Sequence, residues 1–100
     1  MKLLIVTSVS EYHSEVNKLF KKAGIEKFSS SDIDGFQTQQ PMMAFQSWFP
    51  AEHNGMESMM YFSFTDANKI DVFFEEVTKF NSQIDSNPVR AVVVPIERSI

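Results

Sequence analysis

The side chains best suited to chemistry gather in one stretch, where Trp48, Glu52, His53, Met56 and Glu57 lie close together along the chain. A thioether, an imidazole and an indole face suit a soft cation such as Cu(I) or Ag(I), and imidazole with carboxylate suits Zn(II). His53 and Met56 are therefore the candidate metal ligands. The competing reading of the methionines is packing, because Met fills irregular cores and interfaces. His13 lies between Glu11 and Glu15 at a spacing that does not bring all three onto one helical face, and the expectation for it is an exposed helix histidine. Ser29, Ser30 and Ser31 form a run with no base nearby, and two distant histidines do not make a triad. Asp66, Asp71, Glu75 and Glu76 read as a helix cap and a solvated helix face. The reading is not that of an enzyme.

Composition narrows the classes further. The absence of cysteine excludes disulfides, thiolate zinc sites and a Cys nucleophile. A net charge of −4, with nine Lys and Arg that do not cluster, argues against nucleic acid as the main partner. With 43% apolar and 13% aromatic residues the chain can build a packed core, and ten Phe exceed what one small core uses. Some aromatic surface is expected at an interface. The opening MKLLIVTSV is too short an apolar run for a signal segment and reads as a strand, and no run is long enough to span a membrane. A cytoplasmic protein with no membrane insertion is the expectation.

The elements that must position these residues follow from periodicity. Residues 2–9 form a continuous apolar, β-branched run, the pattern of a strand covered on both faces. Tyr12, Val16, Leu19, Phe20 and Ala23 recur at helical spacing, with Ser10 as the expected N-cap and Gly24 as the left-handed C-terminal residue. The stretch 29–36 is a polar strand suited to a sheet edge, and 58–64 is a strand with large apolar groups on both faces. Thr65 or Asp66 caps a second helix carrying Ile70, Phe73, Phe74, Val77 and Phe80, and 89–95 is the last strand after a polar turn ended by Pro88. The order β-α-β-β-α-β predicts a single α+β domain over 1–100 with the ferredoxin-like plan, a four-stranded antiparallel sheet with two helices on one face.

Between the two middle strands lies an excursion, 37–56, far longer than the two to five residues of an ordinary hairpin. Its Met42, Met43, Phe45, Trp48, Phe49 and Met56 stand among Gln, Pro and Ser with little charge, so the stretch is expected to dock on something. Phe45, Trp48 and Phe49 are the candidate anchors of a partner-binding surface.

Three features resemble the PII nitrogen-regulatory signalling proteins. Ile33-Asp34-Gly35-Phe36 followed by Gln39 is similar to that family's V-K-G-F-x-x-Q, an excursion of T-loop length comes next, and the run from Arg90 to Arg98 is similar to its K-I-F-V-x-P-V-E-R strand. The resemblance implies a homotrimer with its sheets facing inward. It further implies an effector cleft between subunits, here near Gly35, Gln37, Gln39 and Arg90, and control of a partner protein, a membrane transporter or an enzyme, through the long loop. The departures are specific. Gln37 replaces a glycine, the stretch 81–90 has no glycine where the family has T-G-x-x-G-D-G-K, and Pro88 has no amide hydrogen for a phosphate. The family's E-L-Y-R-G modification motif and its trailing R-I-R-T-G-E are absent, so nucleotide clasping and uridylylation are not expected and the effector is unnamed. The alternative is a metal-responsive trimer resembling CutA, acting through His53 and Met56. Glu97 and Arg98 are expected to form an inter-strand or inter-subunit ion pair.

Overall fold

A computed structural model describes residues 1–33 and 57–100. The elements are β1 (Lys2–Val9), a single 3-10 turn (Ser10–Tyr12), α1 (His13–Lys22), β2 (Ser29–Ile33), β3 (Ser58–Thr65), α2 (Ala67–Asn81) and β4 (Arg90–Pro95). The strands form one antiparallel sheet in the order β2-β3-β1-β4, the ferredoxin-like arrangement. The apolar β1 is central and pairs with both β3 and β4. The polar β2, with four of its five residues exposed, lies at an edge as its composition predicts.

Alternation along each strand decides what each face carries. Leu4 and Val6 of β1, Tyr61 of β3 and Ala91 and Val93 of β4 point into a core completed by Val16, Leu19 and Phe20 of α1 and Ile70, Phe73 and Val77 of α2. Phe20 is the hub, fully buried, with ring centroids 4.2 Å from Phe28, 4.7 Å from Phe73 and 5.8 Å from Tyr61. One aromatic thus joins both helices to the sheet. Phe74, read from the sequence as part of the α2 stripe, lies at its margin and is 38% exposed.

The helix ends differ in how well sequence foretold them. At the C-terminus of α1 the Gly24 amide donates to Lys21 O and the Ile25 amide to Phe20 O, each at 3.0 Å, with Gly24 at φ +75°. This is the Schellman closure, and Ile25 and Phe20 meet in the core as its hydrophobic contact. At the N-terminus the expected Ser10 cap is not formed. A 3-10 turn intervenes, neither flanking residue makes a side-chain cap, and the Ser10 hydroxyl is buried without a partner while its amide donates to Glu57 O. Asp66 occupies the N-cap position of α2 but likewise makes no side-chain bond.

Two substitutions weigh these features. In urea unfolding at fixed protein concentration, Phe20→Ala is expected to cost about 3–5 kcal/mol because it empties the hub. Gly24→Ala is expected to cost about 1–2 kcal/mol through left-handed backbone strain alone, since a methyl there meets no atom within 4 Å.

Candidate functional site

The sheet has two faces, and the helices cover one. On the other, pairing register builds rows of side chains across the strands: Phe64, Leu3 and Val94 in one row, Phe62, Ile5 and Val92 in the next, then Met60, Thr7 and Arg90. The first two rows are wholly apolar. Phe62 is 37% exposed, Val94 39% and Phe64 56%, and the Phe62 and Phe64 rings meet edge to face at 6.3 Å. A contiguous apolar belt of six side chains, on a sheet face that no described helix covers, is the kind of surface that marks an interaction site.

Arg90 is the one predicted effector residue within the described part of the chain. It opens β4, half-buried, opposite Thr7, at the sheet end where β2 finishes at Ile33 and β3 starts at Ser58. The structure therefore sets Arg90 at the same end of the sheet as the strand ends that flank the long excursion, on the edge strand opposite β2. Gly35, Gln37, Gln39, Phe45, Trp48, Phe49, His53 and Met56 lie outside the described residues. A groove of about 520 Å³ at the β2–β3 edge, between Lys27, Phe28, Ser63 and the belt residues Phe62 and Phe64, lies toward the opposite end of the sheet from Arg90.

The stretch between α2 and β4 occupies the place where the resemblance has a phosphate-holding loop. Here the Asn81 side chain closes it: the Val89 amide donates to Asn81 Oδ1 at 2.9 Å, and Asn81 Nδ2 donates to Val89 O at 3.0 Å. The amides of Ser82, Gln83 and Ile84 donate to Thr78, Phe80 and Asn81 carbonyls, and Asn87 takes the left-handed conformation at φ 58°. Those three amides and that of Val89 are engaged within the chain, and Pro88 has none to offer an anion.

His13 is not the exposed helix histidine that its flanking glutamates indicate. It is half-buried, its ring lies parallel to that of Tyr61 at 5.8 Å, its Nδ1 is 2.9 Å from Tyr61 Oη and its Nε2 is 3.3 Å from Asn17 Nδ2. The signal was legible, because His13, Val16 and Phe20 share the i, i+3, i+7 stripe of α1. Tyr61 is fully buried, and burial pushes its phenol pKa above 10.0 while a hydrogen bond with the Ser8 hydroxyl draws it partly back.

Glu97 and Arg98 follow β4 on the surface, and neither forms an inter-strand ion pair with a described residue; the ion pairs observed join Glu76 to Lys22 and Lys79. Among the described residues no group of three or more His, Cys, Asp or Glu could hold a metal ion, and no helix is long and apolar enough to cross a membrane. No family model matches the chain, and no curated protein matches it.

Two outcomes follow from this geometry. Asn81→Ala leaves the amide and carbonyl of buried Val89 without partners, an expected loss of about 1–3 kcal/mol in urea unfolding, with faster amide exchange across 82–89. For Tyr61, the raised folded-state pKa means that the neutral phenol's contribution is complete below pH 10.0 and is lost as pH rises from there through the folded value. Unfolding free energies between pH 8 and 11 are expected to fall more steeply for the wild type than for Tyr61→Phe.

Proposed function

We propose that this chain is a cytoplasmic PII-like regulatory protein. It assembles as a homotrimer, receives a small effector in the cleft between subunits near Gly35, Gln37, Gln39 and Arg90, and controls a transporter or enzyme through residues 37–56, with Phe45, Trp48 and Phe49 as anchors. The observation that carries this reading is the apolar belt of Leu3, Ile5, Phe62, Phe64, Val92 and Val94 on the sheet face that the helices leave bare. Burying one such side chain contributes about 1.5–3 kcal/mol, so a belt of this kind favours association with matching faces. Arg90, at the sheet end from which the excursion leaves, supports an anionic or polar effector at that end. The engaged amides of Ser82, Gln83, Ile84 and Val89, with Pro88 having none, support an effector other than a nucleotide clasped by its phosphates.

Light scattering is expected to give a mass three times the 11.5 kDa of one chain. Phe64→Asp places a charge where a lone subunit already meets water and a trimer does not. The variant is expected to stay folded by circular dichroism while its mass falls to that of one chain. A monomeric wild type overturns the reading. Calorimetry with ATP and ADP is expected to show no binding in the low-micromolar range, and tight ATP binding would refute the account of 82–89.

A further inference from the structure

The stretch that enters β2 and the stretch that leaves β4 carry matching chemistry at one end of the sheet. β3 runs on to Thr65, whereas β2 starts at Ser29 opposite Phe62, so among the described residues no strand lies beside Ser63, Phe64 and Thr65 on that edge. Residues 25–28 stand there instead, tied down where the Ser63 hydroxyl donates to Lys27 O at 2.6 Å. Two adjoining grooves result, one of about 520 Å³ with Phe28, Phe62 and Phe64 in its wall and one of about 350 Å³ with Met1 and Ile25. Glu26 and Lys27 line both, exposed and outside the ion pairs observed. On the opposite edge β4 ends at Pro95 across from Lys2, which also faces Thr65, and Glu97 and Arg98 follow, equally exposed and equally outside those pairs.

We propose that residues 96–100 of one copy lie antiparallel along residues 24–28 of the next, in the grooves beside β3. In antiparallel alignment one chain counts up as the other counts down. With Arg98 opposite Glu26, Glu97 therefore falls opposite Lys27, and both pairs are of opposite charge. Parallel alignment of the same dipeptides sets Glu97 against Glu26 and Arg98 against Lys27, and both pairs repel. The antiparallel register also carries Ile96 to Phe28 in the larger groove and brings Ile100, fully exposed in its own chain, to Gly24 beside the groove that holds Met1 and Ile25. Apolar and charged positions thus agree in one register. The inference rests on the ring assembly proposed above and says how its subunits are joined. Because the two segments belong to opposite edges of the sheet, each contact is heterologous, the kind that generates a closed ring. The belt row of Phe64, Leu3 and Val94 runs between the two segments, so subunits that turn their belts inward meet at this seam.

The chain has no cysteine, so engineered thiols cross-link selectively. Lys27→Cys and Glu97→Cys in one full-length chain place two thiols at directly opposed positions of this register, within reach of a disulfide. Mild oxidation is expected to give two-chain and three-chain species on a denaturing gel, with the 27–97 link found in the digest by mass spectrometry, and neither single variant is expected to give a three-chain species. Adding Arg98→Glu to the double variant is expected to lower the cross-linked yield several-fold, and adding Glu26→Arg to that protein is expected to restore it. A protein that light scattering shows to be a trimer, yet that oxidises only within one chain or not at all, would overturn the inference and leave the assembly standing. A yield untouched by Arg98→Glu would overturn the antiparallel register, and a monomeric wild type overturns both the inference and the assembly.

Discussion

Two helices can cover only one face of a four-stranded sheet, and that limit shapes the rest of this molecule. The covered face takes Leu4, Val6, Tyr61, Ala91 and Val93, and the residues between them in each strand are forced to the other side by the two-residue period of the pleat. Because Leu3, Ile5, Phe62, Phe64, Val92 and Val94 are themselves apolar, the strands are built for burial on both sides while the described residues of one subunit supply cover for one. Half-exposed aromatics on a flat antiparallel sheet are a liability unless something meets them, and this asymmetry underlies the reading of the protein as an assembly.

Inside the core the same economy of space concentrates contacts on few residues. Phe20 touches Phe28, Phe73 and Tyr61 and so joins β3 and both helices through one ring. Tyr61 packs its ring beside Phe20 and turns its hydroxyl toward His13 and Ser8, so the aromatic core continues into a polar chain at the first turn of α1. A phenol can occupy so buried a place because its oxygen finds partners there, and the cost of burying a polar group is offset by those hydrogen bonds. The carboxamide of Asn81 plays a comparable part at the far end of α2, where it holds both polar backbone groups of Val89.

The sequence itself conveyed much of the fold. The βαββαβ order, the edge position of the serine-rich strand and the left-handed Gly24 closing α1 were all legible, because each is written in local periodicity or in a backbone preference that needs no distant partner. The Ser10 cap was misread for a related reason. A cap signal is local too, but the Ser10 amide is taken by Glu57 O, a residue far along the chain, and a 3-10 turn replaces the expected first turn of the helix. Glu97 and Arg98, expected in an inter-strand or inter-subunit ion pair, lie beyond the ladder because β4 ends at Pro95, and they form no ion pair with a described residue of their own chain.

What sequence determined alone was the set of faces: which residues alternate, which recur every turn, and hence that more apolar surface exists than two helices can hide. What only the tertiary structure decided was which side chains meet. Register aligned Phe64 with Leu3 and Val94, set Arg90 beside Thr7 at the sheet end from which the excursion leaves, and carried Tyr61 under α1 to reach His13. Periodicity is a property of neighbours along the chain, whereas register and helix docking are settled by contacts between segments tens of residues apart.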